Sequence, residues 1–202
     1  MSGDGRSWAG KGLPTAIAER IAELVRGATG CNVNVMGEGG RILASSDPKR
    51  VGTVHEGARS IMAGDQDEIA ISPAMAATMA GVKPGYNGAV FFEGERVACI
   101  GISGDPELVK PFQKMAAVVL RQELERFALS ERERRLSAEV RDQIGDIAER
   151  MLVLSLNGAV IAARLGEAGK GFKIVVSEMR GLASQIGERV EELKERSESG
   201  AG

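Results

Sequence analysis

The chain has 202 residues, 43% of them hydrophobic and 27% charged, which is room for one domain with a long appendage or for two small domains. With 26 Lys and Arg against 28 Asp and Glu, and with 3% aromatics, it has neither the positive charge nor the stacking platforms of a nucleic-acid binder. Two cysteines, Cys31 and Cys99, and a single histidine, His55, exclude a disulfide framework, a Cys-based zinc site and metal sites needing two or more histidines.

Residues 1–12 are glycine-rich and aperiodic, and composition predicts a flexible tail. Pro14 then opens a helix whose Ile17, Ile21, Leu24 and Val25 form an apolar stripe, ended by Gly27 and Gly30. Val33 and Val35 alternate with Asn32 and Asn34, as in a half-buried strand; Glu38-Gly39-Gly40 turns, and 41–45 returns as the second arm of a hairpin. A short helix over 54–63 and a short strand over 67–71 follow. Val90-Phe91-Phe92, the turn Glu93-Gly94-Glu95 and 97–102 make a second hairpin. A sheet with helices between its hairpins is an α+β arrangement.

From Pro106 the pattern changes to long helix. Asp105-Pro106-Glu107 is a helix start, and Pro111 either kinks the first turn or marks where regular helix begins. Residues 121–150 mix both charge signs densely, which reads as a solvated face. Leu136, Val140, Ile144, Ile147, Met151, Leu154, Gly158 and Ile161 fall on a heptad seam. Three glycines in 166–171 break the helix, and a second stripe follows: Ile174, Val175, Met179, Leu182, Ile186, Val190 and Leu193. This predicts an antiparallel helical hairpin over 129–196 with its turn at 166–171, and a flexible tail over 197–202. The first helix would be about 90 Å long at about 1.5 Å per residue, more than twice its return arm. An apolar stripe without a partner in the chain argues for a homodimer through the helical region, with hairpins meeting as a four-helix bundle.

Several blocks carry a family resemblance: Asn32-Val-Asn-Val-Met36, Gly40 through Gly52, His55-Glu-Gly-Ala58, Gly81-Val-Lys-Pro-Gly-Tyr-Asn87 and Ile100 through Glu107. In this order and spacing, over about 13–128, they resemble the sugar diacid recognition domain of carbohydrate diacid regulators. The resemblance implies a PAS- or Cache-like antiparallel-sheet sensor domain over 13–128 that binds a small carboxylate or sugar-acid ligand. The family places an apolar residue and a proline after the asparagine; here Gly88-Ala89 follow Asn87. No basic recognition helix occurs, so the regulator's DNA-binding part is not expected.

A second resemblance covers about 140–195. Asp146-Ile-Ala148, Leu154-Ser-Leu-Asn157, Ala162-Ala-Arg164, Gly166 through Phe172, Val175-Val176, Glu178-Met-Arg180 and Leu182-Ala183 are similar to the hairpin tip of methyl-accepting chemotaxis proteins. It implies contact with a chemotaxis-type histidine kinase and its coupling protein. Three residues depart from that pattern: Glu149 stands where an apolar or aromatic residue is usual, Gly158 where alanine is, and Ile161 where glutamate is.

A carboxylate ligand needs fixed donors and positive charge; arginine grips one through two parallel hydrogen bonds. The candidate ligand-binding residues in the matched blocks are Ser45, Arg50, His55, Lys83, Asn87 and Ser103, with Ser46 able to reach hydroxyls. Each also has a plainer reading: Arg50 tying the turn after Asp47-Pro48, His55 starting a helix, Lys83 in solvent, Asn87 bracing a turn. The candidate partner-binding residues at the tip are Val153, Leu156, Asn157, Arg164, Glu167, Ile174 and Arg180. No nucleophile elbow or phosphate loop occurs, so no catalytic residue, cofactor or metal is expected. No run approaches the roughly 18 apolar residues of a membrane span, and no basic-then-apolar leader pattern opens the chain, so a cytoplasmic location is expected.

Overall fold

The structure, a computed structural model, describes residues 12–79 and 82–199. The expected N-terminal tail, apart from Gly12, lies outside them. Two compact units divide after Ala128 and are described separately.

In the first unit, α1 (Thr15–Thr29) starts from the Pro14 carbonyl, which accepts the Ile17 and Ala18 N–H groups. It stops at Gly30, whose φ of 71° few other residues adopt without strain. Strands β1 (Val33–Met36) and β2 (Ile42–Ser45) form the first hairpin. A 3-10 turn at Pro48–Arg50 leads to α2 (Glu56–Ala63). Then come β3 (Glu68–Ile71), a one-turn helix α3 (Pro73–Ala76), β4 (Gly85–Phe92) and β5 (Glu95–Ser103). The strands make one antiparallel sheet in the order β2-β1-β5-β4-β3. The α+β architecture, an antiparallel sheet followed by a long helical hairpin, is the expected one.

Both faces of the sheet are covered. Val33, Val35, Tyr86, Val90, Ile100 and Ile102 join the buried cluster of Ile17, Ile21 and Val25 from α1 and Val109, Leu120 and Leu124 from the following helix. On the opposite face Met36, Ile42 and Cys99 pack with Ala58 and Ile61 of α2. Two elements differ from expectation. The helix α3 was not foreseen, and β4 begins at Gly85, five residues before the expected Val90. Gly85-Tyr86-Asn87-Gly88 has no apolar alternation; it is a strand because it ladders to β3 and β5 on both sides.

The helix α4 (Pro106–Arg164) starts under the Asp105 carboxylate, which accepts the Glu107 N–H, and runs through Pro111 without ending there. Its part beyond Ala128, a 3-10 turn at Gly166–Gly169 and α5 (Lys170–Ser199) make up the second unit. The helix α5 reaches into the stretch expected as a C-terminal tail; 200–202 lie outside the described residues.

The two arms meet through small residues. Ala148, Ser155, Gly158 and Ala162 of α4 are buried, as are Val176, Ala183 and Val190 of α5. This seam lies beside the expected one. Gly158 is buried and Met151 half-buried, but Leu136, Val140, Ile144, Ile147, Leu154 and Ile161 are exposed within the single chain, as are Ile174, Val175, Leu182 and Leu193 of α5. Small side chains let helix backbones approach closely, so the small stripe takes the intrachain contact and leaves the large one outside.

Gly158 shows the constraint. A Cβ there would come within 2.7 Å of Val176 Cγ2, and a β-branched valine is stiff about χ1. Gly158→Ala is therefore expected to be neutral or destabilising, although alanine favours helix over glycine by about 1 kcal/mol. In a Val176→Ala background the same change is expected to stabilise by about 1 kcal/mol. Denaturant midpoints of the four proteins of this cycle check both statements.

Candidate functional site: a buried polar row under α2

Residues directly opposite each other in an antiparallel sheet point to the same face. One such line crosses the whole sheet: Ser45, Asn34, Gly101, Asn87 and Ile69, from β2, β1, β5, β4 and β3 in turn. Its neighbours on the same face, Met36 and Cys99, pack on α2. The row thus lies on the α2 side, although polar side chains make up most of it.

Its members are fixed unequally. Ser45 donates to Asn34 Oδ1 at 2.7 Å and accepts the Asp47 N–H at 3.0 Å, which orients the Asn34 amide. Gly101 leaves a gap in which the Asn87 Oδ1 lies, where a Cβ would otherwise stand. Asn34 and Asn87 are each 4% exposed. Ser46 binds the backbone of Val33 instead, accepting its N–H at 2.6 Å and donating to its carbonyl at 3.1 Å.

His55 caps α2: its Nδ1 accepts the Ala58 N–H at 3.2 Å. Nε2 therefore carries the proton of the neutral ring and is a donor. In the first turn of α2, Gly57 comes against Ile71, so this end of α2 meets β3 close to the row. Burial, together with the positive charge of Arg50, lowers the His55 pKa from 6.5 to about 4. The sign follows from linkage: the folded ring stays neutral while the unfolded one protonates near 6.5. Its contribution to stability is complete above that pH, falls as pH drops toward 4 and is lost below it, by up to about 3 kcal/mol. Denaturant unfolding at about pH 7 and about pH 4.5 should show His55→Gln losing less stability across that interval than wild type.

The other candidate residues are placed as follows. Arg50 is half-buried at the end of the 3-10 turn, near enough to His55 to act on its charge. Ser103 is half-buried at the end of β5, where its N–H donates to the Asn32 carbonyl. Lys83 is exposed in the loop before β4. Asn34 and Gly101 were not among the sequence candidates. Gly88, which departs from the family pattern, faces α4: Gln113 Nε2 donates to its carbonyl at 3.0 Å, and the Gln113 carboxamide fills the place of a side chain.

Two surface clefts, of about 330 and about 400 Å³, involve α1 with β2 and α1 with α4. The first is lined in part by Ser45 and Ser46; Asn34, His55 and Asn87 line neither. Cys99 is buried and its thiol is pushed up to about 12, which leaves it no thiolate for nucleophilic chemistry near neutral pH. Among the described residues no group of three or more His, Cys, Asp or Glu could hold a metal, and no helix is long and apolar enough to cross a membrane.

On the second unit, Val153, Leu156, Asn157, Arg164, Glu167, Ile174 and Arg180 are all exposed on the two arms and the turn. Glu167 pairs with Lys170 across the turn at 2.6 Å.

The family described as sugar diacid recognition matches residues 13–146, and the methyl-accepting chemotaxis protein signalling domain matches 114–198. The matches overlap within α4. The carbohydrate diacid regulator of Escherichia coli (strain K12) is 33% identical over 121 residues, which is 60% of this chain and 31% of that protein. The methyl-accepting chemotaxis protein McpS of Pseudomonas putida is 48% identical over 56 residues, 28% of this chain and 9% of that protein. The frizzy aggregation protein FrzCD of Myxococcus xanthus is 46% identical over 66 residues, 33% of this chain and 16% of that protein. The chain thus spans less than a third of the length of each of these relatives. Both matched families are sensing and signalling families, not enzymes. Matched over more than half its length, the chain belongs to the sugar diacid recognition family, with a methyl-accepting chemotaxis protein signalling domain following on its helical hairpin.

Proposed function

We propose that the chain is a cytoplasmic, chemoreceptor-like signal transducer. The sheet unit binds a small carboxylic or sugar acid at the polar row, and the hairpin relays that state to a chemotaxis-type histidine kinase and its coupling protein. The observation that carries this reading is the overlap of the two family matches on α4, whose first turns pack on the sheet unit and whose last turns form the hairpin. A ligand shifts a conformational equilibrium only by binding one state better than another, so the acid must bind the signalling and resting states unequally.

The transducer is a homodimer. Leu136, Val140, Ile144, Ile147, Leu154 and Ile161 form an apolar stripe that the return arm leaves uncovered. A second copy covers it in a four-helix bundle. The exposed tip residues Val153, Leu156, Asn157, Arg164, Glu167, Ile174 and Arg180 make the partner surface.

Purified protein is expected to co-sediment with assembled receptor, coupling protein and kinase, and to change kinase autophosphorylation. Failure to associate at high protein concentration counts against the kinase-coupled reading. Glu149 and Ile161, both exposed where the family pattern differs, favour a second reading: a dimeric ligand-binding adaptor whose tip only oligomerises. Glu149→Leu with Ile161→Glu separates the two. Kinase control gained only in that variant supports the adaptor; control already present in the natural chain rejects it.

A further inference from the structure

The first turns of α4 meet the sheet partly through polar groups. In the buried stripe of α4, Gln113 stands between Val109 and Ala116 and donates to the Gly88 carbonyl. On β3, an edge strand of the sheet, Glu68 lies directly opposite Gly88 and so shares its face. One oxygen of the Glu68 carboxylate accepts from Lys114, and the other stands 3.8 Å from Lys110. These two lysines are roughly one turn apart, neighbours on the surface of α4. One carboxylate therefore ties the edge strand to the helix.

Tyr86 is the diagonal neighbour of Glu68 on the same face. Both ammonium groups lie over its ring, 5.3 Å from the centroid for Lys110 and 5.9 Å for Lys114. Tyr86 is 3% exposed, and its hydroxyl is buried without a hydrogen-bond partner. Burial and then the nearby Glu68 raise the Tyr86 pKa, so the hydroxyl keeps its proton and is a donor. Lys114 above all keeps Glu68 ionised. A buried donor thus stands beside a carboxylate that is turned to the lysines. Buried polar groups are nearly always paired, and an exception needs a reason.

The carboxylate has two sets of partners of similar worth. Both lysines are about half exposed, and exposed ion pairs contribute little. Turning to Tyr86 exchanges them for one charge-assisted hydrogen bond to a buried donor. We propose that Glu68 is a two-position latch on α4: paired with Lys110 and Lys114 it fastens the helix to the edge strand, and released from them it accepts the Tyr86 hydroxyl. The hydroxyl offsets the loss of the ion pairs, so a small bias moves the latch. The latch goes beyond the transducer reading and does not depend on it, because all four groups belong to the sheet unit. In a transducer it sets how firmly the sheet holds the helix that continues into the hairpin.

Tyr86 is the sole tyrosine, so carbon-13 at tyrosine Cζ gives one magnetic-resonance signal that reports its hydroxyl in the whole chain. Donation to a carboxylate draws that signal downfield, toward the phenolate position. The double variant Lys110→Gln with Lys114→Gln is expected to move it downfield, and adding Glu68→Gln is expected to cancel the move. Salt at about 1 M, where the screening length is about 3 Å, is expected to move the signal of the unmodified chain the same way but not that of Glu68→Gln. Far-UV circular dichroism reports folding, and should the lysine variant fail to fold, the salt titration decides alone. A signal that stays in place when the lysines are released overturns the latch. A move that survives Glu68→Gln overturns it too, because the hydroxyl has then found another acceptor, such as Gln113 Oε1, which is also buried without a partner.

Discussion

Gly101→Ala is expected to abolish ligand binding and to destabilise the sheet unit by about 2–3 kcal/mol. The added methyl would occupy the place of the Asn87 Oδ1, and it would stand 3.2 Å from Asn87 Cγ and from Met36 Cε. Both neighbours are buried and must shift to admit it: Asn87 is 4% exposed and Met36 is fully buried in the cluster under α2. Overpacking of this kind costs about 1–3 kcal/mol in a well-packed interior, and losing the Asn87 geometry adds to it. At about 3–5 °C per kcal/mol for a unit of this size, the melting temperature should fall by roughly 6–15 °C. The double variant Gly101→Ala with Asn87→Gly separates the two consequences. It removes the clash, so part of the stability returns, but it also removes the amide, so binding does not. Recovery of both would show that the row acts through packing alone. An unchanged melting temperature in the single variant would show that the close approach of Asn87 to Gly101 is wrong.

The row could not be read from one sequence. Asn32 and Asn34 alternate with Val33 and Val35, and alternation reads as a strand with one wet face. Here α2 covers that face, so Asn34 is buried and its carboxamide accepts from Ser45 instead of from water. Asn34, Gly101 and Asn87 become neighbours only through the β1–β5–β4 register, and register is a long-range property that spacing along the chain does not contain. The sequence did place Asn87, Arg50 and His55 in matched blocks, because those blocks are short and local. Long helices were the easiest elements, since their periodicity repeats over many turns. The pairing of the two arms was harder. A heptad search weights Leu136, Val140 and Ile147, whereas the arms pack through Ala148, Ser155 and Ala162, which such a search passes over. What the large residues announce is a second surface rather than the first.

Gly169→Ala and Gly171→Ala, the same substitution two residues apart, are expected to have opposite effects on the hairpin. A Cβ at Gly169 would strike the Ala162 carbonyl oxygen and stand 3.0 Å from its carbon and 3.2 Å from its Cα. These are backbone atoms in the last turns of α4, so no rotamer change relieves the contact; the arms must part. Gly169 is itself buried, and the close approach of the arms at Gly158 and Val176 lies just beyond it. Opening the turn should therefore loosen the small-residue seam, at a cost of about 2–3 kcal/mol. At Gly171, inside α5, a Cβ meets nothing within 4 Å. Alanine there adds helix propensity, and Gly171→Ala should stabilise by up to about 1 kcal/mol. Circular dichroism during denaturant unfolding reads both. Under the proposed kinase-coupled reading the tip adds a functional contrast, because Arg164 ends α4 beside the turn that Gly169 closes and Glu167 lies within it. Gly169→Ala should lose kinase control while Gly171→Ala keeps it. If both retain control despite the loss of stability in the first, the turn geometry is not part of the signalling surface, and coupling rests on the arms at Val153, Leu156 and Ile174 instead.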